Sequence, residues 1–345
     1  MSSTSHPSLD TTIMDWPHCL ALPPFRPHRL WRGGHLQTLV GVGAKDATHS
    51  LAQTCRHHVT VSEGDRLVLH EDCPPNWDAA HGSVLLLHGL CGCHAANYML
   101  RFAVRLFEQG VRVFRLDMRG CGASESTCQT ITHAGRSEDV VAAIEHIAAK
   151  IVVEPSPIGI VGVSLGGNQI LRAAGRIGAG FQMSSQGWSR VDRIVAFAPP
   201  IDLQSCSDAM ERWSCRIYSH YFIRNLLRRA RPELLNQIGM NPRLRRSIKT
   251  LRLLDRHVTA PLAGYRDERA YYADASAVGT LEHIAVPTLI VAAQNDPLVP
   301  VKMFQQAEPS TCVRIHLMKE GGHHGFVQAG GHAWTDDVVA AAFAR

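Results

Sequence analysis

Apolar residues in this chain follow two rhythms. Uninterrupted runs such as Ser83-Val84-Leu85-Leu86-Leu87-His88 and Pro287-Thr288-Leu289-Ile290-Val291-Ala292-Ala293 have the length and pattern of strands buried on both faces. Between such runs, apolar positions recur every three or four residues. Leu100, Ala103, Val104 and Phe107 mark one face of a helix over 95–109, which Gly110 ends. Ser137-Glu138-Asp139 opens a second helix, through 149, with Val140, Val141, Ile144 and Ile147 on its apolar side. In chain order the pattern predicts an antiparallel hairpin from 57–61 and 66–70, then strands over 83–88 and 111–117. A strand beginning at Ile158, a helix to about 175, strands over 190–198, 287–293 and 313–318, and a closing helix from about 334 follow. Strand and helix alternate, so the fold class is α/β with a mostly parallel central sheet flanked by helices.

The alternation breaks over 202–280, which reads as a helical insertion. Between residues 201 and 270 it carries thirteen arginines and Lys249 against seven acidic residues. A solvated helical face is the simplest reading. An acidic substrate or an anionic membrane surface, worth ~1 kcal/mol per basic residue near such a surface, are the functional alternatives. Residues 1–24 lack periodicity and read as an irregular arm ahead of a domain spanning 25–345. The mixed segment Trp31-Arg32-Gly33-Gly34-His35-Leu36-Gln37-Thr38-Leu39 is expected to pack over the core.

Composition narrows the function classes. A net charge of +5 on 345 residues does not point to nucleic acid. Residues 1–27 lack the basic start and apolar core of a secretion signal, and no stretch approaches the ~18 apolar residues of a membrane span. Ten cysteines are too few for a disulfide scaffold, so free thiols in the cytoplasm are expected. Cys91, Cys93 and His94, with Cys121 and Cys128, do not match paired zinc-ligand spacing; no metal and no cofactor are expected.

Candidate chemistry centres on Gly162-Val163-Ser164-Leu165-Gly166, a G-x-S-x-G between a strand and a helix. In such a nucleophile elbow a tight turn exposes the serine hydroxyl, and side chains two residues either side would collide with neighbouring chain. Serine acyl transfer also needs a base, an orienting acid and two oxyanion donors. In this architecture the order is serine, acid, histidine, each on a loop after a strand. Asp296, after the 287–293 strand, and His323 fit that order. His324 competes as base, but Gly321-Gly322 favours swinging the first histidine over the sheet. Asp274 and Asp255 remain alternative acids. Backbone N–H groups of Leu165 and Leu90 are the oxyanion-hole candidates, and His88 reads as a loop support.

The chain resembles the YheT-like branch of the α/β-hydrolase superfamily from about residue 25 to 326. The supporting stretches are His35-Leu36-Gln37-Thr38, His88-Gly89-Leu90, Arg119-Gly120-Cys121-Gly122, the elbow with Gly167-Asn168, Thr259-Ala260-Pro261 with Gly264-Tyr265, and Tyr271-Tyr272 with Ala275-Ser276. Asn295-Asp296-Pro297 and Gly321-Gly322-His323 with Gly325-Phe326 complete them. The resemblance implies an α/β-hydrolase fold, a cofactor-free serine carboxylesterase with a triad at Ser164, Asp296 and His323, and a cap formed by 202–280. Cys91-Gly92-Cys93 stands where relatives often carry an acidic or small polar residue, which changes the pocket's shape and polarity. The N-terminal membrane anchor of some eukaryotic relatives is not expected here. The leading reading is hydrolysis of a small-molecule ester, lipid-like substrates included, through an acyl-enzyme. Acyl transfer to an alcohol, or a catalytically silent binding module with a basic cap, are the rivals.

Overall fold

Continuous apolar runs bury both faces of their strands, and that burial organises the computed structural model, which describes residues 15–43, 51, 54–152 and 155–345. The strands are β1 (Cys55–Thr60), β2 (Arg66–Asp72), β3 (Ser83–Leu87), β4 (Arg112–Asp117), β5 (Ile158–Val163), β6 (Val191–Phe197), β7 (Thr288–Ala293) and β8 (Val313–Met318). They form one eight-stranded sheet in the order β1-β2-β4-β3-β5-β6-β7-β8. The expected hairpin is present, with His57 opposite Leu69, and β2 also runs antiparallel to β4. All other neighbours are parallel. Every residue of β3, β5 and β7 is buried, as strands covered on both faces require.

The principal helices are α1 (Gly34–Gly43), α2 (Asn97–Glu108), α3 (Ser137–His146), α4 (Leu165–Gly178), α5 (Leu203–Met210), α6 (Arg216–Arg229), α7 (Glu268–Ala275) and α8 (Trp334–Phe343). Two core layers sandwich the sheet. One gathers Leu85, Phe114, Ile144, Ile160 and Ile170; the other gathers Leu86, Phe102, Val161, Trp334 and Phe343. α3 is shorter than its apolar period predicts, because its last turn widens into a π-helical turn over Ile147–Ile151. The stretch between β6 and β7 is helical, as the broken alternation predicts, with short helices Pro232–Gln237, Pro242–Ser247 and Leu251–Leu254 between α6 and α7. These helices carry a small core of their own, with Ile223, Leu227, Leu235, Ile248, Leu254 and Val258.

Two elements depart from expectation. The mixed segment at 31–39 runs into helix α1, whose glycines and weak periodicity hide it from pattern reading. Residues 15–24 of the arm include a short helix, Trp16–Cys19; the start of the arm lies outside the described residues. No helix among the described residues is long and apolar enough to cross a membrane.

Candidate active site

β5 ends and α4 begins in one step at Ser164, which takes φ 51° and ψ −118°. For a residue with a side chain this is a strained conformation, held because the elbow leaves no other path. A Cβ on Gly162 would lie 2.7 Å from the Gly166 carbonyl carbon, and one on Gly166 would lie 2.6 Å from the His88 carbonyl oxygen. The elbow is therefore wedged against the loop after β3, and Gly89 of that loop abuts the Ser164 side chain.

Asp296 follows β7 and His323 follows β8, and their loops meet above the elbow. His323 Nδ1 lies 2.8 Å from Asp296 Oδ2, and His323 Nε2 lies 2.9 Å from Ser164 Oγ. Asp296 is oriented by its other oxygen, which accepts N–H bonds from Leu298 at 2.8 Å and Val299 at 3.0 Å. Its side chain is fully buried and His323 is only slightly exposed. This arrangement gives a hydroxyl a nearby imidazole acceptor and gives the imidazole an anion on its far side.

His324 turns away from that line. It takes φ 58°, its ring nitrogens are buried without hydrogen-bond partners, and it packs edge-on against Tyr98 at 4.7 Å. Burial holds its pKa well below the usual histidine value, with Arg101 and His323 adding to the shift. Gly321 and Gly322, at φ 153° and 61°, shape the turn that points the two histidines apart. The alternative acids are otherwise engaged: Asp274 pairs with Arg172 at 2.8 Å, and Asp255, which lines the same cavity, accepts the Tyr272 hydroxyl at 2.8 Å.

Leu90 and Leu165 line one cavity with Ser164 and His323. The loop carrying Leu90 is pinned from beneath. His88, fully buried, donates from Nδ1 to the Gly89 carbonyl at 2.8 Å and accepts the Met118 N–H at Nε2, 3.2 Å away. That pattern requires the neutral ring, and burial lowers the His88 pKa against the raising effect of the Gly89 carbonyl. The Tyr98 hydroxyl accepts the Gly89 N–H at 2.8 Å.

Pattern reading missed two supports. The first is Asp117, at the end of β4. Its carboxylate accepts from the His94 N–H at 2.6 Å and the Ala123 N–H at 2.8 Å, and meets the rings of His94 at 2.7 Å and His70 at 3.0 Å. Burial alone would raise its pKa, but these hydrogen bonds outweigh it and hold the carboxyl far below the usual range. His70, His94 and Asp117 also offer three donor atoms within 4.8 Å of one another, whereas the cysteines at 91, 93, 121 and 128 are free thiols outside that group. The two rings stack at 3.5 Å, nearly parallel, and both direct a nitrogen at the same Asp117 oxygen, which suits a hydrogen-bonded clamp.

The second support is α1. Thr38 Oγ1 accepts the His323 N–H at 2.8 Å, and Gln37 accepts the Val327 N–H at 2.7 Å while donating to the Trp31 carbonyl at 2.7 Å. Asn295 joins the same clamp by accepting the Gly322 N–H at 3.0 Å. The sequence signals for this clamp were the His35-Leu36-Gln37-Thr38, Asn295-Asp296-Pro297 and Gly321-Gly322-His323 stretches within the resemblance.

The cavity above Ser164 measures about 170 Å³, with Leu203, Met210, Phe222, Leu226, Val258 and Tyr271 among its lining residues. Arg229 and Arg231 also line it, and neither pairs with a carboxylate among the described residues.

Comparison with known proteins gives the family and the fold. The family model Hydrolase_4 (serine aminopeptidase, S33) matches residues 78–328. The inferred esterase YheT of Escherichia coli (strain K12) is 28% identical over 248 residues, covering 71% of this chain and 70% of YheT. Phospholipase ABHD3 of Mus musculus is 28% identical over 253 residues, 71% of this chain but only 58% of the phospholipase, so this chain matches little more than half of that protein. Among solved structures, the Pyrococcus furiosus esterase Pf2001 superposes with a TM-score of 0.51 at 15% identity, covering 80% of this chain and 86% of that one, which shows a shared fold. The chain is an α/β hydrolase of the YheT-like branch and belongs to the Hydrolase_4 (serine aminopeptidase, S33) family.

Proposed function

We propose that this protein is a serine hydrolase that cleaves carboxylic esters through an acyl-enzyme on Ser164. The observation that carries the reading is His323 bridging Ser164 Oγ and Asp296 Oδ2 at 2.9 and 2.8 Å. Ser164 Oγ attacks the ester carbonyl as its proton passes to His323 Nε2. Asp296 keeps the ring oriented and stabilises the imidazolium. The tetrahedral oxyanion is held by the N–H groups of Leu90 and Leu165, each worth ~2.7–4 kcal/mol at the transition state. His323 returns the proton to the departing alcohol. Water then gives up a proton to His323 as it attacks the acyl carbon, and His323 passes that proton to Ser164 Oγ as the acid leaves.

Ester chemistry is favoured over aminopeptidase chemistry by the lining of the cavity. A peptide amino terminus is an ammonium, and Arg229 and Arg231 would repel it. Against them stand Glu125 and Asp255, the latter with its pKa pushed up to about 6 by burial and its carboxyl engaged by the Tyr272 hydroxyl. The names borne by YheT and Pf2001, esterases, and by ABHD3, a phospholipase, point the same way. The helices within 202–280 act as the cap, supplying the apolar wall against which an acyl or alcohol chain lies.

Hydrolysis of p-nitrophenyl esters of increasing acyl length tests this reading. Wild-type protein turns over esters with a preference for chains that fill the cavity, Ser164→Ala does not, and amino-acyl p-nitroanilides are not cleaved. Equal turnover by Ser164→Ala would overturn it.

A further inference from the structure

Helix α6 presents two unlike faces. Phe222, Leu226 and Arg229 line the cavity above Ser164. On the opposite side Ile217, Tyr221, Arg224 and Arg228 recur at helical spacing and face solvent. In the turn just before the helix, Trp213 is 82% exposed, while Ile217 and Tyr221 are 63% and 53% exposed. Large apolar side chains this open, aligned on one face, mark an interaction surface rather than ordinary surface scatter. α1 meets α6 where its His35 bonds the Tyr218 hydroxyl at 3.1 Å, and α1 also carries exposed Leu36 and Leu39.

Charge identifies the occupant. Arg212, Arg216, Arg224 and Arg228 flank the apolar residues, all exposed, and none pairs with a carboxylate among the described residues. A second copy of the chain meeting this face by two-fold symmetry would set arginine against arginine. An anionic lipid surface satisfies both halves of the pattern: arginines reach headgroup phosphates and carboxylates, while Trp, Tyr and Ile enter the headgroup and acyl boundary. We infer that the outward face of α6, led by Trp213, docks this protein onto anionic bilayers. Docking there brings the helix that walls the cavity to the membrane, where a lipid-like ester would be met. The surface lies apart from Ser164 and stands whether or not the chemistry proposed above is correct.

Co-sedimentation with vesicles of phosphatidylcholine containing phosphatidylserine, against vesicles of phosphatidylcholine alone, tests the inference. Wild-type protein pellets with the anionic vesicles, far less with the neutral ones, and is released by salt. The triple variant Trp213→Ser, Ile217→Ser, Tyr221→Ser stays in the supernatant. The triple variant Arg216→Gln, Arg224→Gln, Arg228→Gln binds about 100-fold more weakly, from ~5-fold per arginine near such a surface. Both retain wild-type turnover of p-nitrophenyl butyrate, which separates loss of docking from loss of fold or catalysis. Wild-type protein that ignores anionic vesicles, or variants that bind as wild type does, would overturn the proposal. So would a concentration-dependent dimer abolished by the Trp213, Ile217 and Tyr221 changes.

Discussion

Ser164, Asp296 and His323 are far apart in sequence and meet because β5, β7 and β8 end on the same side of the sheet. Which histidine serves as base depends on one residue of loop geometry. His323→Ala is expected to cut ester turnover by several orders of magnitude, while His324→Ala, facing Tyr98 and Phe102, leaves the reaction running at reduced stability. Steady-state kinetics beside thermal melts checks this, and the reverse pattern would move the base to His324. Asp255 makes a separate prediction. Burial raises its folded pKa from the ordinary carboxyl value of 3.8 to about 6, so the folded state binds the proton more tightly than the unfolded one. Its contribution is fully present below pH ~4 and is lost as the pH rises through about 6, at a cost of about 3 kcal/mol from 1.36 kcal/mol per unit. Asp255→Asn should therefore be more stable than wild type at pH 8 and gain little at pH 4, read from urea midpoints at the two pH values.

At the level of elements, the strands were legible because burial on both faces leaves uninterrupted apolar runs. The elbow was legible because its glycines answer a steric demand that little else in the sequence imitates. Helix α1 was not, since Gly34, Gly41 and Gly43 remove its period and its partners lie nearly three hundred residues away. The Asp117 clamp was equally hidden: pairing of β2 with β4 and the return of the 88–94 loop bring His70 and His94 to one carboxylate. These clamps act by position. Thr38→Val removes the acceptor for the His323 N–H and should lower kcat at least ~10-fold with little change in KM, whereas Thr38→Ser restores it. A matching loss in Thr38→Ser would mean that the methyl, not the hydroxyl, matters. Gly166→Ala places a methyl against the His88 carbonyl and should cost about 1–3 kcal/mol of stability along with most of the activity.

Across the whole molecule, the sequence separated a mostly parallel sheet from a basic, helical stretch whose job it left open. The mostly parallel sheet follows from alternation and apolar runs. The packing of the 202–280 helices does not, because their arginines scatter over several short elements and only the folded arrangement puts one helix between cavity and solvent. The central claim is that Ser164 is a nucleophile activated by His323. Labelling with a fluorophosphonate probe, followed by mass spectrometric mapping of the modified peptide, tests it most directly: wild-type protein is modified at Ser164, and His323→Ala, though folded, is modified far more slowly. Absence of label on folded wild-type protein, or label on a residue other than Ser164, would contradict it.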